Sequence, residues 1–422
     1  MELLLNQHIT DLKESSTLWI NSKVKELRAQ GKDVIHFGFG QSPFPVHEKV
    51  TLELIKYSGE KDYLPTLGLY DLRENICEFY KRKFNYDFLP EYLLIGPGSK
   101  ELLFQALFVL EGDVIIPAPS WVSYGPQVNT RGKHISRILT RKEDGYKLQA
   151  KDLEQVCTTL TSKQKMLIIN SPNNPSGSVY NDQEIQDIVE VCKKNNIVIF
   201  SDEIYGQIDW SGDKKKGFFH YYPERTIVTA GLSKSHSAGG YRLGFLATSP
   251  QMSLLIKALA SLVSETFSAV SAPIQYAAVK AYSDDQEIDE YIEKCSQIHK
   301  ACGLYLHDRM TKMGLELPRP DGAFYLMPSF SKFRDHLEKK YGIKNSIDLA
   351  KTLLEKFNVA TLPGCDFYCP PEWLNLRIAT VDYDGTDVLE AFEKLGKLDH
   401  DFVEKFCPNL KEGCDRIQEL LA

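Results

Sequence analysis

The feature that most constrains this chain is a repeated alternation. Short apolar runs near Ile115, Leu167, Val198, Val228 and Phe245 are separated by helical or loop stretches. The runs have the length and the β-branched or aromatic content of strands buried on both faces. Strands alternating with helices fold as an α/β unit around a mainly parallel sheet. Open sheets of this kind place ligands beyond the carboxyl ends of their strands. The loops after these runs are therefore where chemistry is expected.

Those loops carry distinctive residues. The run 197–201 ends at Asp202-Glu-Ile-Tyr205. A carboxylate at a buried strand end needs a partner, which favours a ligand over a helix N-cap for Asp202. The run 165–169 enters Asn170-Ser-Pro-Asn-Asn-Pro-Ser-Gly177, a rigid polar loop in which Pro175 holds Asn174 extended. Between the runs 226–230 and 243–247 lies a small, glycine-dotted loop with one lysine, Lys234. Lost hydration between buried strands lowers a lysine's pKa and frees its amine as nucleophile or base. Ser233 stands beside it, and Arg242 comes eight residues on, a permanent cation suited to phosphate or carboxylate. On this window alone, a surface lysine in a turn explains Lys234 as well.

Upstream, the strand Leu93-Leu-Ile feeds Gly96-Pro-Gly-Ser-Lys100 and then an apolar helix at 101–110. A strand, a glycine turn and a helix N-terminus make an anion site, to which Ser99 adds a hydroxyl. Residues 112–121 form a strand leading to Trp121, either core or a stacking platform, with core favoured on composition alone. Gly40, in the turn-rich loop 38–45, either lets backbone approach a ligand or merely enters the domain. Tyr63 sits in the loop 62–68 and needs no role beyond packing. Arg377 alternates with apolar neighbours along a strand at 374–379, where a lone arginine is usually a surface or ion-pair residue. Residues 289–313 read as a long amphipathic helix, and 399–422 as one or two more.

The chain has 422 residues, 43% hydrophobic and 25% charged, enough for a large core and more than one domain. A net charge of -7 gives no general attraction to nucleic acid or anionic membrane. The nine cysteines are dispersed, without Cys-x-x-Cys or a Cys/His cluster at metal spacing. That pattern fits reduced thiols rather than a disulfide framework or a metal site, and Cys365 and Cys369 read as two buried thiols. The N-terminus, Met1 to His8, lacks the basic start and long apolar core of a signal peptide. No window approaches a transmembrane run. A soluble, cytoplasmic protein is expected.

Together the strand-end residues supply the parts of one chemistry. Pyridoxal phosphate needs a lysine, a carboxylate for its ring nitrogen, donors for its phenolate, a flat partner and a phosphate cup. An amino-acid substrate adds an arginine for its carboxylate. The sequence resembles the class I/II aminotransferases of fold type I, in the prokaryotic-type aspartate aminotransferase branch, from the first helix to just beyond Arg377. The resemblance is carried by Tyr-Leu-Pro-Thr-Leu-Gly at 63–68, Ala-Pro-Ser-Trp-Val-Ser-Tyr at 118–124 and Asn-Ser-Pro-Asn-Asn-Pro-Ser-Gly at 170–177. Ser-Asp-Glu-Ile-Tyr at 201–205, Ser-Lys with Arg242, Gly-Ala-Phe-Tyr at 322–325 and Leu-Arg-Ile at 376–378 complete it.

The resemblance implies a large cofactor domain at 46–289, with a mainly parallel seven-stranded sheet between helices. A smaller α+β domain would combine 1–45 with 290–422. Lys234 would carry the internal aldimine, and Asp202 would pair with the pyridinium nitrogen. Tyr205 and Asn174 would bond the phenolate, Trp121 would stack on the ring, and Ser99, Ser233 and Arg242 would hold the phosphate. Tyr63 would reach the phosphate of the neighbouring subunit of a homodimer. Arg377 would take the substrate α-carboxylate, with Asn174, Trp121 and the Gly40 backbone around it. Lys100, beside the phosphate cup, would meet a distal carboxylate, although a solvated lysine at a helix start explains it equally.

The implied activity is ping-pong transfer of an amino group from an L-amino acid to a 2-oxo acid such as 2-oxoglutarate. Lys100 points to aspartate or another acidic donor. The alternatives are a β- or γ-eliminating or ring-closing lyase, an aminotransferase for aromatic or other neutral amino acids, and a regulator's aminotransferase-like module. The last would need a DNA-binding extension, which the sequence does not suggest. Three departures from the family pattern bear on substrate rather than cofactor. Ser235-His-Ser-Ala-Gly-Gly-Tyr241 replaces a Met-Thr-Gly-Trp-like run, Gln41-Ser42 replaces Glu-Pro, and the tail runs on beyond Lys397. His236 reads as a loop histidine without a catalytic part.

Overall fold

The computed structural model describes residues 3–10, 12–212 and 216–422. Met1 and Glu2, part of the N-terminal stretch read for a signal peptide, lie outside the described residues. Seven strands form the central sheet: β1 (Leu93–Gly96), β2 (Asp113–Ala118), β3 (Ile135–Leu139), β4 (Lys165–Asn170), β5 (Ile197–Asp202), β6 (Thr226–Gly231) and β7 (Gly244–Ala247). Their spatial order is β1-β7-β6-β5-β4-β2-β3. Only β7 runs against the rest, pairing antiparallel with β1 and β6. The α/β fold with a mainly parallel seven-stranded sheet is thus as expected.

The period of two along each strand explains why the sheet is buried on both faces. Val114, Ile116, Met166, Ile168, Val198 and Phe200 point into one core with the helices Ser99–Val109 and Ser253–Ser264. Ile115, Leu167, Ile169, Ile197 and Ile199 point into the other, against the helix Asp182–Lys194. That helix starts where its sequence requires, with a capping box between Asn181 and Glu184. Truncating Phe200, 1% exposed, to alanine would cost about 3–5 kcal/mol.

One strand has no apolar run to mark it in the sequence. In β3, Ile-Ser-Arg-Ile-Leu, only Ile138 is fully buried, because the strand forms the sheet edge and needs no continuous apolar run.

A second, three-stranded antiparallel sheet comprises Tyr325–Leu326, Leu362–Pro363 and Leu376–Ala379, with the last strand in the middle. The long helix Gln286–Lys312 runs nearby, over the expected span. The tail folds as two helices, His400–Phe406 and Pro408–Leu421. They bury Phe402, Val403, Leu410, Ile417 and Leu420 in the core beside that long helix. Gly413 lets the last helix sit on Phe37, since a Cβ there would lie 2.3 Å from the ring. The extension therefore packs as part of the core. All nine cysteines are free, and Cys369 is buried whereas Cys365 is only half-buried. Among the described residues no helix is long and apolar enough to cross a membrane, and no cluster of potential metal ligands is found.

Candidate active site

Parallel pairing brings the strand ends together. Asn170, Asp202 and Thr229 lie side by side in register across β4, β5 and β6. On the β6 side, Gly231, Gly244 and Gly96 form a second row across β6, β7 and β1. A Cβ on Gly244 would lie 2.7 Å from Ser99 N, so this row lets the N-terminus of the helix Ser99–Val109 settle against the sheet. Gly98, at φ 93, turns the chain into that helix. Ser99 and Lys100 are thus the first residues of the helix, slightly earlier than the spacing suggested.

The cavity beyond these ends has a volume of about 440 Å³. It is lined by Gly40, Ser99, Lys100, Trp121, Asn174, Asp202, Tyr205, Ser233, Lys234, Arg242 and Arg377. The structure therefore unites every expected site residue except Tyr63, which is 96% exposed and lies outside the cavity. The lining also includes Thr17, Gln41, Tyr124, Asn170 and Tyr325, to which sequence reasoning gave no role. Tyr124 and Tyr325 close the motifs at 118–124 and 322–325. What they do depends on partners far away in the chain.

Lys234 is half-buried, and its amine donates to the Gly40 carbonyl at 2.7 Å. Burial, then the positive charges of Arg377 and Arg242, hold its pKa down to about 8. Asp202 is 5% exposed, and burial lifts its pKa to about 6. Hydrogen bonds from Tyr124 and from the Ile204 N–H, then the charge of Lys234, oppose that rise. The Asn170 side chain braces the neighbouring loop, donating to the Asp202 carbonyl and accepting from the Asn174 N–H, both at 2.7 Å. Tyr205 and Tyr325 share a hydroxyl–hydroxyl bond of 2.9 Å.

Arg377 corrects the expectation for a lone strand arginine. It is 1% exposed, within a strand buried at every residue. Its guanidinium donates to the Gly38 carbonyl and, at 3.5 Å, to Asn174 Oδ1, and it lies over the Tyr325 and Phe367 rings. Its Nε has no partner among the described residues. A buried guanidinium with an unused donor calls for an anion. Arg242, at φ 52, donates to the Gly239 and Pro97 carbonyls and so curls over the Gly98 turn. Lys100 holds its amine 5.1 Å from the Trp121 ring centre, and burial and then Arg242 lower its pKa. The lining thus sets four cations, Lys100, Lys234, Arg242 and Arg377, against one carboxylate, Asp202. His236 faces away, buried, bonded to Ser235 and to the Ala281 carbonyl.

Comparison with known proteins places this geometry. The family profile "Aminotransferase class I and II" matches residues 32–391. The aspartate aminotransferase of Bacillus sp. (strain YM-2) is 35% identical over 379 residues, covering 88% of this chain and 93% of that one. A probable aspartate/prephenate aminotransferase of Aquifex aeolicus is 32% identical, over 87% and 92% of the two chains. The structure of Thermus thermophilus aspartate aminotransferase with maleate superposes with a TM-score of 0.84 at 26% identity, covering 99% of this chain and all of that one. The chain belongs to the class I and II aminotransferase family, on its aspartate aminotransferase branch.

Proposed function

We propose that this aminotransferase binds pyridoxal phosphate and moves the amino group of an acidic L-amino acid, aspartate foremost, to a 2-oxo acid such as 2-oxoglutarate. The observation that carries this reading is the charge of the cavity, four cations against Asp202. The residues suit the cofactor. The free N–H groups of the first helical turn, with Ser99, Ser233 and Arg242, suit a phosphate dianion. A side chain at Gly98 would fill that cup, since its Cβ would lie 2.6 Å from Arg242 Nη2. Asp202 would hold the ring nitrogen, Tyr205 and Asn174 the phenolate oxygen, and Trp121 the ring face.

Pyridoxal phosphate, once bound, supplies an electron sink for the bond that breaks at the substrate Cα. Arg377 would bind the α-carboxylate through its unused donor and orient the substrate. Lys234, with a pKa near 8, keeps a neutral fraction at neutral pH and would move the proton at Cα. Assigning Arg242 to the phosphate and Arg377 to the α-carboxylate leaves Lys100 without an anion. A second carboxylate on the substrate completes the balance, which is why an acidic donor is favoured.

The large domain is assigned to residues 46–289 and the small domain to 1–45 and 290–422. Lys234, Asp202 and Arg242 then come from one, and Gly40 and Arg377 from the other, so domain closure would assemble the substrate site. Tyr63, exposed and outside its own cavity, suits a place in the site of a second subunit in a homodimer.

The test is a spectral titration of the purified protein. With pyridoxal phosphate supplied, a visible cofactor band should be lost on adding L-aspartate and restored by 2-oxoglutarate. A band that ignores aspartate overturns the acidic donor and reopens a lyase. No band at all overturns the cofactor assignment.

A further inference from the structure

Two of the departures from the family pattern meet in space. Ser42, from the loop that carries Gly38 and Gly40, and Ser237, from the Lys234 loop, lie with their hydroxyls 2.7 Å apart. Ser237 Oγ is also 3.1 Å from the Tyr291 hydroxyl, which donates to the Pro45 carbonyl at 2.5 Å. A tyrosine has one proton to give, and a carbonyl can only accept. Tyr291 therefore shares its proton between the Pro45 carbonyl, the shorter contact, and Ser237 Oγ, while either serine can donate to the other. The chain of contacts runs unbroken from Ser42 through Ser237 and Tyr291 to the Pro45 carbonyl. It begins and ends on the same loop.

The place of this chain gives it a meaning. The protein passes between the proposed domains at 45/46 and at 289/290. Tyr291 and Pro45 tie these passages together, and the His47 ring packs edge-on against Tyr291 at 5.3 Å. Ser237 links both passages to the lysine loop. It holds φ 56 to do so, a conformation that non-glycine residues adopt rarely. A little before Ser42 in its loop, the Gly38 carbonyl receives Arg377 and the Gly40 carbonyl receives Lys234. Ser42 is buried, so water does not readily replace its partner.

We propose that Ser42, Ser237 and Tyr291 are positioning residues, a hinge latch that holds the 38–45 loop at the height where Arg377 and the Gly40 backbone meet the substrate carboxylate. The proposal rests on the transaminase reading and on the proposed domain assignment. Because the α-carboxylate is common to amino donor and oxo acid, loss of the latch weakens both alike.

The test uses Ser42→Ala, Ser237→Ala, Ser237→Gly and Tyr291→Phe in the full chain. Hydrogen–deuterium exchange of the 38–45 segment is read without cofactor, and KM and kcat are read with it. All four variants should exchange faster in this segment. They should raise KM for both substrates together by about tenfold, with kcat within about threefold of the unaltered protein. Ser237→Gly removes the hydroxyl while relieving the backbone, so matching Ser237→Ala assigns the effect to the hydroxyl. Unchanged exchange overturns the latch, as does faster exchange with unchanged KM, or a glycine variant that behaves like the unaltered protein. Thermal melts identify any variant that fails to fold, and the remaining variants then decide. If the unaltered protein shows no transamination, the proposed function fails, and the exchange data alone decide the latch.

Discussion

The Tyr124 hydroxyl donates to Asp202 Oδ2 at 2.7 Å, and this bond works against the desolvation of the carboxylate. Burial raises Asp202 to about 6, and Tyr124 is the largest influence pulling it back down. Tyr124→Phe should therefore push Asp202 further up, leaving less carboxylate at neutral pH. The cofactor affinity of the empty enzyme should weaken below about pH 6 in the unaltered protein, and roughly one pH unit higher in the variant. Titration of pyridoxal phosphate binding between pH 5 and 8.5 checks this. Superimposable curves would mean that Tyr124 only fills space.

The same burial makes Asp202 a stability liability in the empty enzyme. Its folded pKa of about 6 lies above the ordinary carboxylate value of 3.8, so the native state prefers the protonated form. The penalty is fully present above pH 6, fades as pH falls from 6 towards 4, and amounts to about 3 kcal/mol at its largest. Asp202→Asn should raise the Tm of the cofactor-free protein at pH 8, with the gain gone at pH 4, while cofactor affinity falls. Thermal melts at the two pH values measure it. A gain that ignores pH would place its origin elsewhere.

Much of this site is legible in the chain because β4, β5 and β6 are parallel and fully buried. The loops leaving these three runs must lie on one edge of the sheet, which brings Asn174, Asp202 and Lys234 together before any coordinates are known. Arg377 is different. Its alternation with apolar neighbours suggests an exposed face, and only the covering of its strand by Tyr325 and Phe367 turns that face inward. Tyr124 closes a recognisable motif without revealing its role, because its partner Asp202 arrives from 78 residues away. The edge strand β3 has too few buried positions to announce itself. The tail helices are readable from their periodicity, whereas their seat on Phe37 depends on a tertiary approach at Gly413.

On the proposed reading, Lys234 and Asp202 make separable contributions. Lys234→Ala should leave the phosphate cup and Asp202 intact, so pyridoxal phosphate should still bind. Turnover should fall by about a thousandfold or more, because the substitution removes the amine, held down to about 8, that would move the proton at Cα. Equilibrium dialysis with the cofactor and a coupled transamination assay give the two numbers. Undiminished turnover would remove Lys234 from the mechanism.

Lys100 decides between an acidic and a neutral donor. It is half-buried at the first turn of the helix Ser99–Val109, and its amine faces the Trp121 ring rather than open water. Burial and the neighbouring charge of Arg242 both lower its pKa, which describes a cation short of counter-charge. An anion delivered by the substrate would relieve both effects at once, and a charge-assisted bond of this kind is worth about 1.5–3 kcal/mol. Lys100→Ala should therefore lower kcat/KM for aspartate by about 30-fold and for alanine by less than about threefold. Cofactor affinity must be measured alongside, since Lys100 also neighbours the proposed phosphate cup. If aspartate and alanine lose equally, Lys100 serves the cup and reads no side chain. The donor would then have to be sought among neutral amino acids, with Thr17 and Gln41 among the polar walls of the cavity.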